Sequence, residues 1–168
     1  MDEDTIFKFQ LLVEGLTDNL QNLAILVRNG AYLKNMERQT DLTCRIAVRQ
    51  NGLALEHVWD QTEQICLEAV KQNGLALRFV NKQTDEICIA AVMRNGLALE
   101  YVMKQTEDLC LEAVAQNGLA LMFVRKQTEE ICLEAVNQNG MALLDIRDPE
   151  IAKLVSGDRF LKTKSAKK

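Results

Sequence analysis

The sequence is poor in residues that carry out chemistry. It has one histidine, His57, one proline, Pro149, and only 5% aromatic residues. A lone histidine cannot build a zinc site of the usual His and Cys pairs, and it leaves little scope for an activated Cys–His nucleophile. The G-x-S-x-G elbow, the GxxxxGK[ST] phosphate loop and the HExxH helix are all absent. No enzyme activity, metal or cofactor is expected. Neither sign of charge dominates: 20 Lys and Arg against 24 Asp and Glu give a net −4, without the basic excess of a nucleic-acid binder. Long apolar runs are missing too, since none reaches the roughly 18 residues of a membrane span. The opening MDEDTIFKFQ is acidic where a secretory leader is basic. These features predict an intracellular, cytoplasmic protein with no membrane partner.

What the sequence has is repetition. Asn-Gly recurs at Asn29-Gly30, Asn51-Gly52, Asn73-Gly74, Asn95-Gly96, Asn117-Gly118 and Asn139-Gly140, always 22 residues apart. Gln-Thr keeps the same step from Gln39-Thr40 to Gln127-Thr128, and so do Cys44, Cys66, Cys88, Cys110 and Cys132. Five thiols at one point of each period read as a column of buried, reduced side chains, because free cysteine packs as a small hydrophobe. Close CxxC pairs for zinc are lacking, and disulfides between neighbours would leave one thiol over.

A 22-residue period signals a solenoid in which each unit buries its apolar face against its neighbours. Thr62, Thr84, Thr106 and Thr128 suit helix N-caps, each with acidic residues in the following turn. Ile65, Cys66, Ala69 and Val70 then share one helical face. The helix should stop at Asn73-Gly74, with the glycine taking the left-handed C′ conformation. By that argument Gly96→Val destabilises through positive φ. Leu75, Ala76, Phe79 and Val80 supply the apolar side of a second helix expected to end near Gln83. A leucine-rich repeat is the rival reading, but Glu68 occupies its first leucine position and the Ala, Leu, Glu and Gln content favours helix over strand. The expectation is an all-α solenoid of helix-turn-helix units. Divergent capping helices fill 1–29, tandem repeats 30–145, a capping helix opened by Asp148 and Pro149 146–156, and a flexible basic tail 157–168.

The phrase QTxEICLEAVxQNGLALxxV, carried from about Asn29 to Ile146, resembles the short tandem helical repeats of an uncharacterised domain family abundant in giant DNA viruses and found also in protists and bacteria. The resemblance implies an α-helical repeat protein of viral origin, working in host cytoplasm or virion, and carries over no catalytic residues.

Function is then sought where the copies differ. With each glycine as position one, the fifth residue is Lys34, Glu56, Arg78, Glu100, Met122 and Leu144, and the eighth is Glu37, Trp59, Asn81, Met103, Arg125 and Arg147. Three residues apart on one helix, these columns would share a face. The sixth column, through His57, Phe79, Tyr101 and Phe123, is an aromatic ladder expected to pack between successive helices. Arg38, Lys82, Lys104 and Lys126, interrupted by Asp60, form a basic edge opposite an acidic ridge that includes Glu68, Glu112 and Glu134. The expected function is a protein-binding scaffold whose contact face holds Trp59, Arg78, Asn81, Tyr101, Met103, Met122 and Arg125, residue types favoured at interfaces. RNA binding through the lysine column and tail is the alternative, and self-association of incompletely capped ends is a third reading.

Overall fold

The computed structural model describes residues 20–165, with side chains through residue 157. Every regular element among them is helical, which excludes the leucine-rich-repeat reading. Helix α1 occupies residues 20–28, and the 1–19 part of the expected N-terminal cap lies outside the described residues. Six 3-10 helices then alternate with six α-helices: η1 (Gly30–Asn35), α2 (Asp41–Gln50), η2 (Gly52–His57), α3 (Glu63–Gln72), η3 (Gly74–Phe79), α4 (Asp85–Arg94), η4 (Gly96–Tyr101), α5 (Glu107–Gln116), η5 (Gly118–Phe123), α6 (Glu129–Gln138), η6 (Gly140–Asp145) and α7 (Pro149–Ser165). From α2 to α7 each α-helix packs on the next α-helix, each 3-10 helix packs on the next 3-10 helix, and the two layers close over a shared core. This is an all-α solenoid.

The threonine caps form as the sequence implies. The Thr62 side chain accepts from the Ile65 N–H, and Thr84, Thr106 and Thr128 act alike on Ile87, Leu109 and Ile131. In α2, where Thr43 stands in the isoleucine column, a reciprocal capping box joins it to Thr40. Pro149 opens α7, with Asp148 accepting from the Glu150 N–H at 2.9 Å. Helix α7 continues to Ser165, beyond the boundary expected at 156; the side chains of 158–168 lie outside the described residues.

Three expectations need correction. The first helix of each unit is a six-residue 3-10 helix that ends at Phe79 in the third copy, not near Gln83. Its Val80 cap is extended and returns its N–H to the Leu77 carbonyl at 3.1 Å. The buried set is accordingly Ala76, Leu77 and Val80, with Leu75 and Phe79 only partly covered. Such a run is long for 3-10 geometry, and packing against equivalent runs on either side holds it. Second, the eighth column does not share a helix with the fifth: Trp59, Asn81, Met103 and Arg125 sit in the bend that follows. Third, no glycine among the described residues has positive φ. Asn73 itself turns extended at φ −145°, ends α3 by donating its N–H to the Ala69 carbonyl and N-caps η3 by accepting from the Leu75 N–H. Glycine is required next because a Cβ on Gly74 would collide with the Ala91 carbonyl oxygen of the following unit. A side chain at Gly96 meets Ala113 in the same way.

One hydrophobic cluster runs from Leu26 to Val155. The five cysteines lie in it as free thiols, and burial pushes each above its ordinary pKa. Leu55, Leu77, Leu99 and Leu121 are fully buried, each contributing about 1.5–3 kcal/mol of transfer free energy.

Candidate functional site

The Gln-Thr pair divides its work between two units. While the threonine caps its own α-helix, the glutamine reaches forward to the bend of the next copy. Gln61 donates through Nε2 to the Phe79 carbonyl at 2.8 Å and accepts the Asn81 N–H on Oε1 at 3.0 Å. Gln39 holds the His57 carbonyl and Trp59 N–H, Gln83 the Tyr101 carbonyl and Met103 N–H, and Gln105 the Phe123 carbonyl and Arg125 N–H. Each bend is therefore clamped on both sides of its buried valine. At Trp59, Asn81 and Met103 the eighth-column residue has a fixed backbone and an exposed side chain that makes no contribution to the clamp.

That arrangement places most of the expected contact residues. Trp59 and Met103 are each 65% exposed in the bends, and Asn81 is exposed between them in chain order. Met122 is half exposed on η5. Arg78 is exposed on η3 with its guanidinium 4.4 Å from the centre of the Phe79 ring, a cation–π contact. Tyr101 is half-buried against the core, as are Phe79 and Phe123, so the aromatic column packs along the layer. Arg125 is the most committed of the set. It donates through Nη1 to the Met103 carbonyl at 2.6 Å and through Nη2 to the Val102 carbonyl at 3.0 Å. Arg147 repeats this reach onto Met122 and Val124. Arg125 thus ties its own unit to the previous one.

Shallow grooves lie beneath the ridge where units meet. One of about 150 Å³ runs between Gln39, Cys44, Trp59 and Asp60, and its counterpart of about 260 Å³ between Gln105, Cys110, Arg125 and Lys126. Their floors repeat and their rims do not. Of the lysine edge, Lys82, Lys104 and Lys126 are exposed at one bend position in three successive units.

The acidic ridge is not uniform. Glu68 bridges α2 and α3: Arg45 Nη2 and Arg49 Nε each lie 2.7 Å from its carboxylate, and Gln64 adds a bond at 3.2 Å. Burial alone would raise its pKa, but hydrogen bonds from Arg49, Arg45 and Gln64 outweigh that and hold it at about 2. Glu112 and Glu134 have no ion-pair partner among the described residues.

A second glutamine column was missed in the sequence. Gln50, Gln72, Gln116 and Gln138, at the α-helix C-termini, accept the N–H of Gly30, Gly52, Gly96 and Gly118 of the preceding unit at 2.6–2.9 Å. The signal was present, since an exposed glutamine has no reason to recur every 22 residues unless its amide is used. Arg94 breaks this column, leaving Gly74 without that acceptor while its Nε bonds the Gln72 carbonyl at 3.3 Å.

Layered helices, periodic hydrogen-bonded staples and an unrepeated outer surface define a tandem helical-repeat protein. Residues 62–105 and 106–151, each two units long and together more than half of the chain, match the family described as a domain of unknown function, DUF4116; the chain belongs to that family. No similar curated protein and no similar solved structure was found.

Proposed function

We propose that the chain is a non-catalytic scaffold that binds a protein partner along the bend ridge, centred on Trp59, Asn81 and Met103 and flanked by Arg78, Tyr101, Met122 and Arg125. One observation carries this reading: from the second unit to the fifth, the glutamine clamp fixes the backbone on either side of an exposed side chain that is different each time, Trp59, Asn81, Met103 and Arg125. Rigid presentation lowers the ordering cost of binding, and large exposed Trp and Met side chains supply apolar contact area. The intracellular setting expected from the composition and the viral setting implied by the family resemblance both belong to this proposal. The test is the affinity of a partner isolated from the native cell, measured with purified proteins. Trp59→Ala with Met103→Ala should weaken it at least roughly tenfold, as loss of central anchors does, with the helical spectrum unchanged. An unaltered affinity removes the ridge reading.

The exposed Lys82, Lys104 and Lys126 support RNA as a second reading. A mobility shift with single-stranded RNA at low salt, lost as salt rises, is the required result; no shift at low salt ends it.

A further inference from the structure

The α2–α3 contact reveals which positions oppose one another along the stack. Arg45 and Arg49, fifth and ninth in α2, both reach Glu68, sixth in α3. In the same register Glu112 of α5 opposes Ile89 and Met93 of α4. No cation meets it there among the described residues. Ile89 is 47% and Met93 61% exposed, and a groove of about 300 Å³ separates the two helices. Ile89, Met93 and Leu109 wall the groove, and Asp85, Asp108 and Glu112 rim it against the single cation Lys104. Arg94, beside Met93, is turned to the Gln72 carbonyl of the preceding unit.

We propose that this groove takes an arginine-bearing segment of a partner protein. The arginine's methylene stem lies along Ile89 and Met93, and its guanidinium meets Glu112 as Arg45 and Arg49 meet Glu68. The protein's own α2–α3 interface is the template: Arg45 gives Nε at 2.9 Å and Nη2 at 2.7 Å to one carboxylate oxygen, and Arg49 gives Nε at 2.7 Å to the other. That fork suits guanidinium and not the point charge of lysine. Three carboxylates against one lysine leave the rim short of positive charge, and the exposed apolar wall is the surface an arginine stem covers. The groove lies mainly between α4 and α5 and meets the bends only at Lys104, so Trp59, two units away, takes no part in it.

The test uses the full-length chain and fluorescence anisotropy. The probe is a labelled alanine-based peptide carrying two arginines four residues apart, and the control carries citrulline, which keeps the shape without the charge. The arginine peptide should bind, with the citrulline peptide weaker by roughly tenfold or more. Glu112→Gln and Met93→Lys, the latter placing the residue type of Lys71 at this position, should each weaken the arginine peptide by about five- to tenfold while leaving the thermal melt intact. Trp59→Ala and Glu134→Gln should leave its affinity unchanged. Absence of binding up to millimolar peptide, equal binding of the citrulline peptide, or equal weakening by Glu134→Gln would each overturn the assignment.

Discussion

The α2–α3 and α4–α5 interfaces are built on one lattice and present opposite surfaces. Both keep the buried Cys, Ala and Val of the α-helix, the threonine cap and the glycine at the unit junction. At α2–α3 the outward positions are Arg45, Arg49 and Glu68, which close over the junction as a charged lid. At α4–α5 the same positions are Ile89, Met93 and Glu112, which leave the junction open as a groove with an apolar wall. Stability and individuality therefore occupy different residues of each unit. Substitutions in the first set should act alike at every junction, and those in the second should act at one.

The largest expected effect breaks the lattice and does not distinguish the two junctions. Gly52→Val and Gly96→Val each drive a side chain into the carbonyl of Ala69 or Ala113, and each should cost about 3 kcal/mol in chemical denaturation. Equal losses sharpen the comparison, and a loss at only one site breaks it. Gly157→Ala, inside α7 where an added Cβ meets nothing, is the control for the substitution itself and should stabilise by about 0.5–1 kcal/mol.

Glutamate substitution should separate the junctions. Glu68→Gln leaves Arg45 and Arg49 facing each other without their carboxylate and should cost about 1–2 kcal/mol, whereas Glu112→Gln should leave the melt within about 0.5 kcal/mol. The pH dependence follows from the same contact. The Glu68 pKa is lowered from 4.5 to about 2 on folding, so its stabilisation is complete above pH 4.5 and is lost as pH falls towards 2. The difference in Tm between the native chain and Glu68→Gln should shrink across that window. A constant difference would dissociate the arginine contacts from stability.

Smaller effects should come from making α4 resemble its neighbours. Arg94→Gln restores an acceptor for the Gly74 N–H and should stabilise by about 0.5–1.5 kcal/mol. No gain would mean that Gly74 is already satisfied by solvent. Grafting the α2 pair, as Ile89→Arg with Met93→Arg, should close the groove over Glu112 and, in chemical denaturation, change stability by only a few tenths of a kcal/mol because the pair is exposed.

The 22-residue period, the helical class, the threonine caps, the cysteine column and the buried Ala and Val positions were all legible in the residues themselves. They follow from local propensity and from a periodicity that gives every unit equivalent neighbours. The glycines were located correctly and explained wrongly, because crowding by the next unit's carbonyl is a property of the stack and not of one turn. Exposure of Trp59 and Met103 could be anticipated from their variation, while the pinning of Arg125 onto the Val102 and Met103 carbonyls could not.

By itself, then, the sequence determined that this chain is a stack of identical supports, since identical residues every 22 positions admit no other way to bury their apolar faces together. Only the tertiary structure decided that the recurring glutamines are staples, that the short helix is 3-10, and which outward residues oppose one another across a junction. Those outcomes depend on side chains reaching 18 to 23 residues along the chain, as Gln61 reaches Phe79 and Arg45 reaches Glu68. Such pairings are set by the offset between packed helices, which local sequence preference does not encode.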